Sequence, residues 1–180
     1  MRRYGWGIIF LCVCFLTGCM YVKASMKLDE NMIGKDYEAV DVLLDMVTPP
    51  LMPKERVLVA SFVNVDNMEN TTTFGRTISE HYASRLAQHD LGVVEMKLRK
   101  SVFIKEESGE FLLSRDVKEL SAAHNAAVVF VGTYSIARYL VYVSARAVSV
   151  ETNTILASYD YKLPIGENIQ EMLREKKKSF

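Results

Sequence analysis

Few side chains in this sequence are placed to do chemistry. The three histidines are His81, His89 and His124. Glu80 precedes His81, but no second histidine follows at the spacing by which a zinc-binding helix presents two imidazoles on one face. His81 and His89 stand eight residues apart, about two helical turns, too far to share one metal ion. His124 is alone and reads as the end of a helix. Gly75, Gly92, Gly109, Gly132 and Gly166 are scattered, so they build no phosphate-cradling loop. The carboxylates are numerous and fall into no readable pairs. The residues therefore assign no catalytic group, no metal ligand and no cofactor. The one position with its own chemistry is Cys19. It closes the run FLTGC with a nucleophilic sulfur and has the small Gly18 just before it.

What stands upstream of Cys19 gives that sulfur a context. Arg2 and Arg3 form a short positive start, and Gly5 to Gly18 is an apolar run. That is the layout of a secretory leader. The run is shorter than the ~20 residues a bilayer span needs. A plain leader would end in small residues of the A-x-A kind, whereas Leu16, Thr17 and Gly18 precede Cys19. This resembles the lipobox of bacterial lipoproteins. The resemblance implies that the Cys19 thiol is acylated and that residues 1–18 are cut away as a signal peptide. It also implies sorting to the outer membrane, since Met20 is not the aspartate that tends to retain such proteins at the inner membrane. Cys12 and Cys14 would leave with the leader, so no thiol pair remains for a disulfide. Cleavage would leave 162 of the 180 residues and remove Arg2 and Arg3, so that 20 basic side chains face 22 acidic ones. That balance offers no basic field for nucleic acid. The length suits one domain with a sizeable core.

The remaining sequence divides readily. Residues 19–35 read as a lipidated cysteine and a weakly patterned tether. Residues 36–166 read as an α/β domain with an amino-terminal helix, and 167–180 as a charged tail. The pattern predicts a first helix over 35–47, with Tyr37, Val40, Leu44 and Val47 at helical spacing and Leu43 beside them. It is free to pack on its own domain or on a partner. TPPLMP stops it. Arg56 to Val65 reads as one buried strand. A second helix follows over 74–90, with Phe74, Ile78, Tyr82 and Leu86 as its stripe, Thr72 or Thr73 as its cap, and Gly92 as the glycine past its end. A strand over 93–99, a small hairpin over 101–114 and a helix from Arg115 capped by Ser114 come next. Three strands then follow in series, 126–137, 140–150 and 155–163. Their short links demand antiparallel pairing. The fold class is α/β, a mixed sheet of about five strands with one βαβ crossover, an antiparallel meander and helices packed on it.

An ordered set of segments carries a wider resemblance: VLVASFVNVDN, TFGRTISEHYASRL, GEFLLSRDVKEL, VVFVGTYSIA, VYVSARAV and ILASYDYKLP. Together with the lipobox, this set resembles the FlgO family of flagellar outer-membrane lipoproteins, over about 43–164. The resemblance implies a fold related to curli-secretion lipoproteins and to the amino-terminal domain of TolB. It implies no enzymatic activity and no catalytic residues to carry over. It implies a periplasm-facing protein, lipid-anchored in the outer membrane, that helps assemble or stabilise the flagellum there as a subunit of a ring or collar. The expected partners are the outer membrane, flagellar ring or collar proteins, and further copies of the chain. Only Cys19 transfers as a functional position. Arg115 and Arg146 match the family pattern, with a structural role as good an account as any other. The alternative function is that of outer-membrane lipoproteins that activate a peptidoglycan synthase. Those carry long linkers, whereas the 16 residues from Met20 to Lys35 reach roughly 55 Å fully extended and about 20 Å as a flexible coil. A curli-type pore would need bilayer-crossing hairpins for which no sequence is left over.

Overall fold

The computed structural model describes residues 31–68, 71–95 and 115–174. Helix α1 is Met32–Met46. Strand β1, Arg56–Val59, and the two-residue β2, Val63–Asn64, follow. Helix α2, Thr73–Gln88, leads to β3, Gly92–Glu95. Helix α3 is Arg115–His124. Strands β4, Val128–Ile136, β5, Leu140–Ser149, and β6, Ile155–Pro164, form the expected meander, and α4, Glu167–Leu173, closes the described chain. The sheet runs β3-β1-β4-β5-β6, and β2 also pairs with β4. β1 is parallel to both β3 and β4, while β4, β5 and β6 are antiparallel neighbours. One crossover moves from β1 outward to β3, and the next returns past β1 to β4. Right-handed crossovers in opposite directions place α2 and α3 on opposite faces of the sheet.

The single strand expected over Arg56–Val65 is two. Val57 pairs with Val128, but Val63 pairs with Thr133, so the β1–β2 side holds one residue more than β4. An extra residue bends a strand locally, as in a bulge. Here the bend presses Phe62 inward: a Cβ on Gly132 would fall on the Phe62 ring, and a Cβ on Gly75 would fall on the Phe62 carbonyl oxygen. Gly75 is the third residue of α2, so this is where α2 meets the bend most closely.

α2 follows its expected stripe. Phe74, Ile78, Tyr82 and Leu86 are all buried, and Thr72 caps the helix through a hydrogen bond accepted from the Gly75 N–H. Its end differs from expectation. Asp90, with φ of 59°, takes the left-handed position. The Leu91 N–H donates to the Leu86 carbonyl and the Asp90 N–H to that of Ala87, the bonding of a Schellman cap. Gly92 is the first residue of β3, and its N–H donates to the Glu55 carbonyl. The glycine that ended the apolar pattern starts the strand, and an aspartate does the capping, as aspartates tolerate the left-handed conformation.

α1 packs on its own domain, between α2 and the β5–β6 end of the sheet. It begins at Met32, so part of the stretch read as tether is helical. Its buried face is Met32, Asp36, Ala39, Val40, Leu43 and then Val47, whereas Tyr37 and Leu44 are half-buried. The predicted stripe was turned toward Tyr37 and Leu44 because the true one contains a carboxylate. Val141, Val143, Ala145 and Ala147 of β5 line the same core, as their alternation requires. On the other face Leu58, Ala60, Val129, Val131 and Val148 form a smaller core with Ala126. The tail, read as a surface helix, buries Ile169. The predicted hairpin over 101–114 and the Ser114 cap lie outside the described residues.

Candidate functional site

Asp36 sits one turn into α1, on the seam that faces α2 and β6, and none of its surface is exposed. Its Oδ2 lies 2.6 Å from His81 Nδ1 on α2. Its Oδ1 accepts a 2.5 Å hydrogen bond from the Tyr161 hydroxyl on β6. One carboxylate thus joins three elements far apart in sequence. Burial lifts the Asp36 carboxyl above the ordinary aspartate range, and the hydrogen bonds from His81 and Tyr161 oppose that rise. Burial also pushes the Tyr161 phenol well up, so it stays protonated as the donor. Tyr82, next to His81, brings a second hydroxyl, which is buried beside that of Tyr161. Burial first, and the nearby Asp36 charge second, raise its pKa.

A more exposed copy of this contact lies further along the same pair of helices. Asp41 of α1 accepts from Arg85 Nε at 2.8 Å and Nη2 at 2.7 Å, and its Oδ1 is 2.7 Å from His89 Nε2. The Arg85 guanidinium holds the Asp41 carboxyl below its usual range. Arg85 also stands over the Tyr37 ring, 5.5 Å from its centroid. The pairs Asp36–His81 and Asp41–Arg85 ascend both helices together, so α1 and α2 run in the same direction. Asp41 is 37 % exposed, and water screens such a pair. Asp41→Asn is expected to cost no more than about 1 kcal/mol of stability in denaturant titration. A larger loss would mean that the pair, rather than Asp36, fixes α1.

An Asp–His couple that holds Nδ1 leaves Nε2 for another partner, which is how a proton shuttle or a metal-binding imidazole is oriented. Here the carboxylate is sealed from solvent and divided between His81 and Tyr161. Among the described residues no group of three or more His, Cys, Asp or Glu side chains is placed to hold a metal ion. The arrangement pins α1 to α2 and to β6. The two histidines too far apart for one metal are each held by a separate carboxylate of α1. His124 ends α3 as expected, and its carbonyl accepts from Arg56 Nη1 at 3.1 Å. Arg146 is half-buried on β5, Arg115 opens α3, and Cys19 lies outside the described residues. Asp36, Asp41 and Tyr161 carried no functional assignment from sequence. The signal for Asp36 was an aspartate in register with Met32, Ala39, Val40 and Leu43.

Comparison with known proteins agrees with this architecture. The FlgO protein family profile matches residues 37–168. No curated protein matches the chain in sequence. Among solved structures, the chain is similar to the LpoB C-terminal domain from Salmonella enterica, with 15% identity and a TM-score of 0.53, covering 74% of this chain and 98% of that one. The LpoB C-terminal domain from Escherichia coli gives 14% identity and a TM-score of 0.50, covering 77% and 100%. At these identities the likeness is one of fold.

Proposed function

This chain belongs to the FlgO family, and from that premise we propose that it is a non-catalytic lipoprotein of the outer membrane, a subunit of a collar that steadies the flagellum there. Cys19 carries the lipid in this reading, and residues 1–18 are the leader. The observation that supports it most directly is the clamp at Asp36. It makes α1 part of the domain, so the stretch between Cys19 and the folded body is only Met20 to Glu30 with the Asn31 cap. About 12 residues reach roughly 40 Å at full extension. The domain is therefore held close to its anchor, as a collar subunit would be. Crowding on one surface raises effective concentration, so weak contacts between neighbouring copies suffice for assembly. The same short reach counts against the alternative, a lipoprotein that crosses the periplasm to activate a peptidoglycan synthase.

Two measurements test the reading. Radioactive fatty acid should label the wild-type protein and leave Cys19→Ala unlabelled; equal labelling refutes the anchor. Deleting the gene should reduce swimming or the number of intact flagella while cell shape and wall synthesis stay normal, and the Cys19→Ala gene should restore motility poorly. Intact swimming with impaired wall growth would favour the synthase activator instead.

A further inference from the structure

We propose that one end of the domain is a membrane-contact surface whose partner is the headgroup and upper acyl region of a phospholipid leaflet. The inference rests on the reading of Cys19 as the anchor and adds the orientation of the domain beneath it.

The strand and helix directions define this end. Asp36 meets Tyr161, and Glu38 lies 3.5 Å from the Tyr159 hydroxyl. α1 therefore runs antiparallel to β6, with its first turn toward Pro164. Lys35 accordingly shares a groove of about 610 Å³ with Leu140, Tyr142 and Pro164. The β4–β5 turn lies at the same end, where the Ile165 N–H donates to the Tyr139 carbonyl. β2 runs parallel to β4 and finishes there too, with the Val65 N–H donating to the Tyr134 carbonyl. α4 folds back so that Arg174 lines a second groove with Ile136, Arg138 and Ile165. The first described helix begins at this end and the last described residue sits at it.

Exposed apolar side chains gather at the same end. Nine large hydrophobic residues are exposed among the described residues, and six of them lie here: Ile33, Val65, Met68, Ile136, Tyr139 and Tyr142. The other three, Met46, Met52 and Ile155, lie at or near the opposite ends of α1 and β6. Single exposed hydrophobics are ordinary, but a collection on one end of a domain marks an interaction surface. Ile33 is 51 % and Tyr139 55 % exposed, and the Arg138 guanidinium sits 5.1 Å from the centroid of the Tyr139 ring. Tyrosines and arginines with apolar bodies and polar tips are the residues that settle at a membrane–water boundary.

Two features select lipid over a protein partner. The segment leading back to Cys19 enters at this end, so a lipidated Cys19 holds this end nearest the bilayer. The described side chains Lys35, Arg138 and Arg174 also stand at this end, and basic side chains next to a membrane are drawn to anionic headgroups. Among the described residues no helix is long and apolar enough to cross the bilayer, so the contact proposed is one of lying on the surface.

The test uses the full lipidated protein in vesicles of phosphatidylethanolamine and phosphatidylglycerol, with single tryptophans introduced as Tyr139→Trp, Ile136→Trp and, at the far end, Ile155→Trp. Brominated acyl chains should quench Tyr139→Trp and Ile136→Trp at least twofold more than Ile155→Trp. Equal quenching at both ends overturns the proposal. Protection of Tyr139→Trp from aqueous acrylamide without quenching by bromolipid also overturns it, because protein would then cover this end. Fatty-acid labelling of the same preparations reads the anchor separately. An anchored protein without bromolipid contact refutes the orientation and leaves the anchor standing.

Discussion

His81→Ala is expected to lower the unfolding free energy at pH 7 by about 3 kcal/mol, the upper end of the cost when a buried polar group loses its hydrogen-bond partner. The loss comes from what remains. Asp36 keeps its Tyr161 hydrogen bond but stays fully buried with one oxygen unpartnered. Its pH dependence follows from linkage. The Asp36 pKa is raised in the folded protein, so the folded state holds a proton that the unfolded state has released. Stability from this group is present below the unfolded carboxylate pKa and falls as pH rises through the folded one. Removing His81 takes away hydrogen-bonding and charge contributions that lower this pKa, so the folded value rises further and the deficit is greatest near neutrality. The His81→Ala deficit should therefore shrink on acidification. Asp41 has the opposite sign, since its pKa is lowered and its stabilisation is lost as pH falls. Asp36→Asn placed on top of His81→Ala should recover much of the loss, because the uncompensated charge is gone. Chemical denaturation of the wild type, His81→Ala and the double variant between pH 5 and about pH 8 checks this. A double variant as unstable as the single one would mean that the imidazole matters for packing rather than for the carboxylate.

Gly75→Ala is expected to destabilise the domain by about 3 kcal/mol or more, at the upper end of what overpacking costs. Local propensity says the reverse, since alanine in a helix interior is favoured over glycine by roughly 0.5–1 kcal/mol. The structural effect is larger. The added methyl group would fall on the Phe62 carbonyl oxygen and 2.7 Å from Thr71 Oγ1. That hydroxyl donates to the same carbonyl at 2.7 Å. A carbonyl in the backbone of the β1–β2 bend cannot swing aside as a flexible side chain would, so α2 must lift off the sheet and take Phe74 and Ile78 with it. A thermal melt of the variant settles the sign. An unchanged or raised melting temperature would show that α2 and the bend are further apart than described.

How far the sequence could be read depended on whether apolar periodicity alone decided the outcome. The stripe of α2 and the alternation of β5 are of that kind, and both stand where the pattern puts them. The α1 face was misaligned because Asp36 breaks the apolar pattern, and its justification, Tyr161, comes 125 residues later. The split of the Arg56–Val65 strand was equally hidden. Its run is apolar apart from Arg56, Ser61 and Asn64, none of which marks a break, and the extra residue shows only against the register of β4. Gly92 misled for a different reason: a glycine near a helix end suggests a cap, but Asp90 takes the left-handed position. The clamp was illegible as a site, because charged side chains with no local partner resemble any solvated surface.

The Asp36–Tyr161 contact also bears on how the chain acquires its structure over time. During synthesis α1 emerges first and β6 nearly last. Closing a loop of 125 residues costs about 4 kcal/mol of chain entropy, and parallel pairing of β1 with β4 is similarly non-local. Such topologies form slowly. Until β6 arrives, α1 has no Tyr161 to complete its carboxylate, and Asp36 is better hydrated than buried. α1, the first helix of the described residues, is thus locked only when β6 arrives, and a chain halted before Ile155 leaves it undocked.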